Sequence, residues 1–414
     1  MNKVKNILCL VMAAVVASYF LAGCVSQSSN PGLSQDISSG RKNVNSSAAE
    51  GNMRFAFDIF RKLNNEDKKE NIFISPLSIS TALSMVYQGA EGTTREAMAA
   101  ALGYEGMQIE RINEYYKKIL RALEETDKKV QLNIGNSIWL RRGAEIKKDF
   151  ISSNKDVFNA QVKTLDFSKD EAADEINNWV SDSTKGKIQK IINPPIPEDV
   201  MMYLLNAIYF KGEWKEQFDK SQTFASKFRS GSGKKQEVMM MRRKGDMEYG
   251  KGEDFKAVRL PYGDGKISMY CILPDEGISV DSFIKEMDSD KWKGIKQSIS
   301  KTEDVMLQLP RFKIEYGAKD LNKSLSELGM GEAFSESANF TGISKNAFIN
   351  KVAHKAVIEV NEEGSEAAAV TTVVVFTSGL ADPINFIADR PFIFLIADEE
   401  HDAILFMGKL YNVK

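Results

Sequence analysis

The side chains that could carry out chemistry in this chain are few. Only two histidines are present, His354 and His401, and only three cysteines, Cys9, Cys24 and Cys271. A serine hydrolase would need one of these histidines as a base beside a nucleophile, and neither lies near a GxSxG-like sequence. The chain also lacks the GxxxxGK[ST], HExxH and CxxC patterns of phosphate loops, zinc proteases and redox thiols. We therefore expect no enzyme activity, no cofactor and no metal site.

The composition points to an ordinary globular protein. The 414 residues are 43% hydrophobic and 27% charged, with a net charge of -2. A balanced charge gives no basic surface for nucleic acid, so no nucleic-acid partner is predicted. Cys271 lies in the apolar run ISMYCILP, which predicts a buried strand residue rather than a reactive thiol.

One segment near the C-terminus has a mixed composition. Residues 362–376, EEGSEAAAVTTVVVF, begin with a Glu pair and Gly-Ser, pass through alanines, and end in β-branched residues. In a strand, the odd-numbered side chains from Ser365 to Val375 would share a charge-free face, and Glu366 would lie on the other. The turn-rich sequence that follows, TSGLADPINF, does not continue a strand. A segment that suits both an exposed loop and a buried strand is a candidate switch.

The N-terminus resembles an export signal. Lys3 and Lys5 precede the apolar stretch ILCLVMAAVVASYFLAG, which ends at Cys24. LAGC resembles the lipobox of prokaryotic lipoproteins, which implies a signal peptide over 1–23 and lipid on Cys24; an uncleaved anchor is the alternative. Residues 24–47 are rich in Ser, Asn, Gln and Gly, and predict a flexible tether. We expect an exported lipoprotein of the cell envelope, outside the cytoplasm.

The elements that must position the switch segment form one domain over 48–414, because no Pro/Gly-rich linker divides it. Ser75 followed by Pro76 predicts a helix that ends at Gly89. A capping box, Thr93 with Glu96 or the same pattern moved to Thr94, predicts the next helix. Later helices are predicted at about 171–183, 280–297 and 318–329, among strands such as VMMYLLNAIYF and VMLQLPRFKIEY. Helices early and strands late, without regular alternation, predict an α+β fold.

Five stretches and the switch segment resemble the serpin family of serine protease inhibitors, in family order. The stretches are FISPLSIS (Phe73 to Ser80), NNWVSDSTKGKI (Asn177 to Ile188), LNAIYFKGEW (Leu205 to Trp214), HKAVIEVNEEG (His354 to Gly364) and DRPFIFLI (Asp389 to Ile396). The segment EEGSEAAA is similar to the hinge of the family's reactive-centre loop. Together these matches cover roughly Ala48 to Lys414 and identify the chain as a serpin, of a prokaryotic lipoprotein type.

The resemblance implies a fold and a mechanism. The expected fold is a single α+β domain with three β-sheets, about nine helices and an exposed reactive-centre loop above a five-stranded sheet. A target protease cleaves the loop, is held as an acyl-enzyme, and is disabled when the freed loop inserts into that sheet. The hinge residues, Glu363, Gly364, Ser365, Glu366, Ala367, Ala368 and Ala369, include the small residues that inhibitory members have.

The resemblance also assigns residues to the sheet that must open. Ser75, Ser78, Asn206 and His354 are expected to form a hydrogen-bonded group beneath the point where its strands part, here named the latch cluster. Trp214 is expected near the top of the sheet, where insertion begins. Both sets are equally compatible with ordinary buried polar and aromatic residues.

The cleaved bond and the target follow from the loop sequence. Counting the family's usual spacing forward from Gly364 places the bond at Ser378–Gly379, which we prefer because the hinge side sets the insertion length. Counting back from RPF places it at Leu380–Ala381. No Lys or Arg occurs between Gly364 and Asp389, which disfavours a trypsin-like target. Elastase-, subtilisin- or chymotrypsin-like serine proteases fit, and a cysteine protease stays open.

Two other functions are compatible with the sequence. A non-inhibitory serpin would act as a plain protease substrate, a carrier or a chaperone. A lipoprotein hydrolase would need one of the two histidines for turnover. We expect an inhibitor that is a monomer and that contacts the membrane through lipid on Cys24.

Overall fold

The computed structural model describes residues 34–125, 127, 129–345, 347–365 and 384–413, with side chains described from Ala48 onward. This described part contains the helices α1 (Ser34–Glu66), α2 (Pro76–Tyr87), α3 (Gly92–Leu102), α4 (Ile109–Glu124), α5 (Lys148–Phe158), α6 (Asp170–Ser183), α7 (Val280–Glu286), α8 (Ser289–Ser298) and α9 (Asn322–Leu325). Its strands are β1 (Ile72–Ile74), β2 (Val130–Arg141), β3 (Gln161–Leu165), β4 (Met202–Glu213), β5 (Phe224–Arg229), β6 (Lys235–Lys251), β7 (Phe255–Tyr262), β8 (Ile267–Pro274), β9 (Ser300–Pro310), β10 (Phe312–Asp320), β11 (Lys351–Val360), β12 (Gly364–Ser365), β13 (Ile384–Ile387), β14 (Phe392–Asp398) and β15 (Ala403–Leu410). The predicted α+β fold with about nine helices is confirmed.

The start of α2 follows from local chemistry. Ser75 has an extended backbone, and its hydroxyl oxygen accepts a hydrogen bond from the Ser78 amide. Pro76 occupies the first helical position, where no amide hydrogen is needed. All residues of α2 are buried, and the helix packs on β4 and β15. The predicted helix start is therefore confirmed.

Two predicted helix details are wrong. The N-cap of α3 is Glu91, and the Thr94 hydroxyl donates to Glu332 across the fold, so the predicted capping box does not form. The helix predicted at about 318–329 is only the short α9, followed by a π-type turn over Ser326–Met330. Gly329 in this turn has a left-handed φ of 101°, which ends the regular helix.

The smaller sheet, here named the main sheet, has six strands, five of them in the order β10-β11-β4-β2-β3. Its two central strands, β4 and β11, run parallel and pair over seven residues, Tyr203–Tyr209 with Lys351–Val357. The neighbouring pairs β4 with β2 and β11 with β10 are antiparallel. The short strand β12 pairs with the upper end of β4. A gap opened between β4 and β11 would therefore accept one antiparallel strand.

Both faces of β4 are covered. Leu204 and Ile208 belong to the large central core, whereas Leu205 and Ala207 pack in a second cluster with Ile176 of α6. This alternation is the two-residue period of a strand that is buried on both faces. The main sheet is therefore a layer between the central core and α6.

The larger sheet has the order β1-β15-β14-β8-β7-β6-β9-β13, with β5 on β6. The 17-residue strand β6 pairs with β5 and β9 near its start and with β7 and β9 near its end, and its register with β9 shifts between Gly245 and Met247. Hydrogen bonds through β6 thus join two of the three expected sheets. Side chains such as Phe73, Phe394 and Phe406 stack in the core between the sheets.

The N-terminal predictions lie largely outside the described residues. The signal peptide over 1–23 and Cys24 are among the residues that are not described. The helix α1 begins at Ser34, inside the segment 24–47 predicted as a tether, and the boundary at Ala48 stays a prediction. No helix in the described residues is long and apolar enough to cross a membrane.

Candidate functional site

The described part of the hinge already lies in the main sheet. Gly364 pairs with Glu213 and Ser365 pairs with Gly212, antiparallel to β4. Gly364 has φ 152°, and a Cβ there would lie 2.0 Å from the carbonyl oxygen of Gly212, so only glycine allows this approach. The Ser365 side chain is fully buried. The first residue of an additional strand is therefore in place before any cleavage.

Trp214 lies at the top of the main sheet, directly after β4. Its ring stacks on Tyr262 with 4.4 Å between ring centroids, and its indole nitrogen donates to the carbonyl of Asn361 at 2.9 Å. The Trp214 amide also donates to the carbonyl of Glu363 at 2.9 Å. The buried tryptophan thus holds the turn that leads into the hinge.

Two glutamates anchor the base of the hinge. The Arg311 guanidinium donates to both carboxylate oxygens of Glu362, at 2.8 and 2.9 Å, and the Thr223 hydroxyl donates to the same carboxylate. Burial raises the pKa of Glu362, but the hydrogen bonds from Arg311 and Thr223 outweigh it, so its pKa lies below the ordinary value. Glu363, also buried, pairs with Lys220. These ion pairs fix where the loop leaves the sheet.

The latch cluster lies at the centre of the main sheet. His354 of β11 is the registered partner of Asn206 of β4, and Asn206 is the registered partner of Asn136 of β2. The Asn206 amide donates to the Asn136 side-chain oxygen at 2.9 Å. The Ser75 backbone amide, at the start of α2, donates to His354 Nε2 at 3.2 Å. The row of polar side chains thus crosses three neighbouring strands of the main sheet, β11, β4 and β2.

The latch cluster contains unsatisfied hydrogen-bonding groups. Ser78 Oγ, Asn206 Oδ1 and His354 Nδ1 are buried and have no hydrogen-bond partner among the described atoms. Because a buried polar atom without a partner destabilises a fold, this group favours a state that supplies new partners. Burial lowers the pKa of His354 to about 3, so its imidazole is neutral and can accept the Ser75 hydrogen bond.

The two histidines make different contacts in separate parts of the fold. His354 Nε2 is occupied by a backbone amide, and His401 Nδ1 lies 3.0 Å from Asp398 in the turn between β14 and β15. Cys271 is buried in β8, and burial raises the pKa of its thiol. Within the described residues, no group of three or more His, Cys, Asp and Glu side chains could hold a metal ion.

The structure adds three residues that sequence reasoning did not single out. Tyr262 contacts both Trp214 and Ser365, Arg311 pairs with Glu362, and Asn136 extends the latch cluster. Asn136 and Arg311 carried a sequence signal, as polar side chains inside the predicted strand runs VQLNIGNSIWL and VMLQLPRFKIEY. The hinge residues Glu366, Ala367, Ala368 and Ala369 and the bonds Ser378–Gly379 and Leu380–Ala381 lie outside the described residues.

The main sheet thus has two central parallel strands, a row of polar side chains across them and a short additional strand at the upper end of β4. The serpin (serine protease inhibitor) family model matches residues 50–413. The chain is 34% identical over 371 residues to the leukocyte elastase inhibitor of Bos taurus, which covers 87% of this chain and 97% of that protein. It therefore belongs to the serpin family.

Solved structures agree with this assignment. The native state of tengpin, a thermophilic serpin, is similar with a TM-score of 0.82 and 33% identity over 90% of this chain and 94% of that chain. Human thyroxine-binding globulin complexed with thyroxine has a TM-score of 0.81 and 29% identity over 90% of this chain and 100% of that chain. Family membership and the named inhibitor support a protease-inhibitor role rather than catalysis.

Proposed function

We propose that the chain is a suicide-substrate inhibitor that traps serine proteases as acyl-enzymes and inserts its cleaved loop into the main sheet. The observation that carries this proposal is β12, which begins an antiparallel strand beside β4 with Ser365 already buried. Insertion would carry the bound protease to the far end of the main sheet and distort the oxyanion hole of the protease. Loss of that electrostatic stabilisation would prevent deacylation.

The observed register predicts the position of every further residue. Ser365 pairs with Gly212, and each later loop residue would pair one position earlier in β4. Because side chains alternate, the charge-free odd-numbered residues would face the central core, as Ser365 does. Thr371 would then lie opposite Asn206. Its hydroxyl would supply a partner to the unsatisfied atoms of the latch cluster.

Insertion would make new hydrogen bonds and bury apolar side chains, and both terms favour the inserted state. Insertion breaks the parallel pairing of β4 with β11 and makes two antiparallel ladders, a net gain of about ten hydrogen bonds at about 1 kcal/mol each. Burial of three or four β-branched side chains adds about 1.5–3 kcal/mol each. These favourable terms total roughly 15–20 kcal/mol before the entropy cost of ordering the inserted residues, and are comparable with the stability of about 5–15 kcal/mol of a typical protein.

The loop sequence and the name of a similar protein together support a class of target protease. The absence of Lys and Arg between Gly364 and Asp389 disfavours trypsin-like proteases, and one similar protein is named an elastase inhibitor. We propose elastase-, chymotrypsin- or subtilisin-like targets that cleave at Ser378–Gly379, with Leu380–Ala381 as the alternative. Mass spectrometry of the loop after incubation with each protease identifies the cleaved bond and tests both positions.

The cellular placement is also a proposal. Cys24 and the preceding apolar stretch support export and lipid attachment, with the inhibitor domain acting as a monomer outside the cytoplasm. Mass spectrometry of the N-terminal peptide from protein made in its own host tests this proposal. A lipid-modified Cys24 is expected, and an unmodified N-terminus that still contains residues 1–23 would contradict it.

A matched pair of substitutions tests the mechanism. Ala367→Arg places a charge on the face that would enter the core, whereas Ala368→Arg places the same charge on the opposite face. We expect Ala367→Arg to turn the inhibitor into a substrate, with cleaved loop and no covalent complex on a denaturing gel. Ala368→Arg should retain the complex. Complexes of equal yield in both variants would contradict insertion in this register.

A carrier function is the second candidate, because thyroxine-binding globulin has a similar fold and is solved with a bound ligand. Cleavage of the wild-type loop without any covalent complex, across elastase-, chymotrypsin- and subtilisin-like proteases, would favour it.

A further inference from the structure

The buried contact between Tyr262 and Ser365 connects the two sheets. Tyr262 ends β7 of the larger sheet, and its hydroxyl lies 2.8 Å from Ser365 Oγ of the hinge. Both side chains are fully buried. Ser365 is thus held by backbone pairing to β4 and by a side-chain hydrogen bond to a residue 103 positions away.

The packing around Tyr262 fixes where its hydroxyl lies. The ring stacks on Trp214 and meets the edge of Phe210 with 5.1 Å between ring centroids. The ring also lies against Gly212, where an added Cβ would be 2.7 Å from Tyr262 Cδ1. Since Gly212 is the registered partner of Ser365, the ring and the first inserted residue meet at the same point of β4.

The contact distinguishes between two registers of insertion. A slip of one residue would exchange the two faces of the inserted strand. It would turn Glu366 toward the Tyr262 hydroxyl and the apolar core, where an unpaired carboxylate is strongly unfavourable. A serine hydroxyl in the observed register can both donate to and accept from the tyrosine. Burial keeps the pKa of Tyr262 well above its usual range, so the hydroxyl stays protonated.

We propose that Tyr262 is a positioning residue that holds Ser365 in the main sheet and so sets the register in which the reactive-centre loop inserts. The effect on loop insertion rests on the proposed inhibitory function, whereas the contact between Tyr262 and Ser365 does not depend on it. The Tyr262 hydroxyl holds the first residues of the inserted strand in place before cleavage. Hydrolysis of the acyl-enzyme would then compete with an insertion that has already started.

Hydrogen–deuterium exchange of the uncleaved protein tests the contact without any protease. Tyr262→Phe keeps the stacked ring and removes the hydroxyl, and Ser365→Ala removes its partner. We expect about fivefold faster exchange in the peptide that contains Gly364 and Ser365 for either variant, since one buried hydrogen bond is lost. The double variant should exchange no faster than Ser365→Ala alone, and Ser365→Thr, which keeps a hydroxyl, should exchange like wild type.

Tyr270→Phe is the matched control, because the Tyr270 hydroxyl bonds to Glu399 and lies in β8. It should leave hinge exchange unchanged. Unchanged exchange in Tyr262→Phe, or a double variant whose effect is the product of the two single effects, would overturn the proposal. If Tyr262→Phe does not fold, the contrast between Ser365→Ala and Ser365→Thr still decides the outcome.

A second measurement tests the consequence for inhibition. Tyr262→Phe should raise the amount of inhibitor consumed per trapped protease by about two- to fivefold, because slower insertion allows more hydrolysis of the acyl-enzyme. The rate constant of the initial encounter should not fall. Unchanged consumption together with faster hinge exchange would overturn the register role. Absence of any complex with wild-type protein, with the exchange effects intact, would instead refute the proposed function.

Discussion

Acid should weaken the latch cluster through a single histidine. His354 is buried and neutral, and its Nε2 accepts a hydrogen bond from the Ser75 amide. Protonation would make both ring nitrogens donors and would place a charge in the interior without a carboxylate partner. We therefore expect the native state to lose stability as the pH falls, because the folded protein excludes a proton that the unfolded chain binds.

The size of the effect follows from the pKa difference. Burial lowers the pKa of His354 from 6.5 to about 3. Above pH 6.5 neither state binds the proton, so His354 adds no pH dependence there. Below that value the unfolded chain takes up a proton that the folded chain excludes, and stability falls by about 1.4 kcal/mol per pH unit. At about pH 4.5 the loss is roughly 3 kcal/mol.

Urea unfolding at about pH 7 and about pH 4.5 measures this loss, with His354→Gln as the test variant. Glutamine keeps a neutral acceptor and does not titrate, so the variant should lose roughly 3 kcal/mol less than wild type on acidification. His401→Gln controls for removal of the other histidine. An acid dependence of His354→Gln equal to that of wild type would refute the role assigned to His354.

Three further substitutions test the site. Arg311→Met leaves the buried Glu362 carboxylate without its guanidinium and should lower stability by about 1–3 kcal/mol, and an unchanged urea midpoint would contradict this ion pair. Thr371→Val should lower the melting temperature of the loop-cleaved protein, whereas Thr372→Val, on the other face, should not; equal effects would contradict the proposed register. Gly212→Ala should crowd the adjacent tyrosine ring and destabilise the uncleaved protein by about 1–3 kcal/mol, as measured by urea unfolding. Wild-type stability in that variant would contradict the close packing at this glycine.

Local sequence signals predicted the elements whose ends are fixed by neighbouring residues. The start of α2 was predictable, because Ser75 and Pro76 act within one helical turn. The start of α3 was not, because the Thr94 hydroxyl finds its partner at Glu332, 238 residues away. A capping pattern predicts a helix start only when no tertiary partner competes for the hydroxyl.

The difference between local signals and contacts distant in sequence also explains which site residues could be predicted. Family resemblance predicted the latch cluster and the hinge, because those residues lie within continuous motifs. Tyr262 and Arg311 act through contacts between strands distant in sequence, and neither residue type nor spacing shows which strands will be neighbours. The role of Asn136 depends on its register with Asn206, which only the paired sheet defines.

The central claim is that the uncleaved chain is held short of its most stable arrangement. Thermal unfolding before and after a protease nicks the loop between residues 366 and 383 tests this claim most directly. The gain that remains after the entropy cost of ordering the loop predicts that the nicked protein melts higher than the intact one by about 10 °C or more. An unchanged melting temperature after complete cleavage would contradict the insertion mechanism.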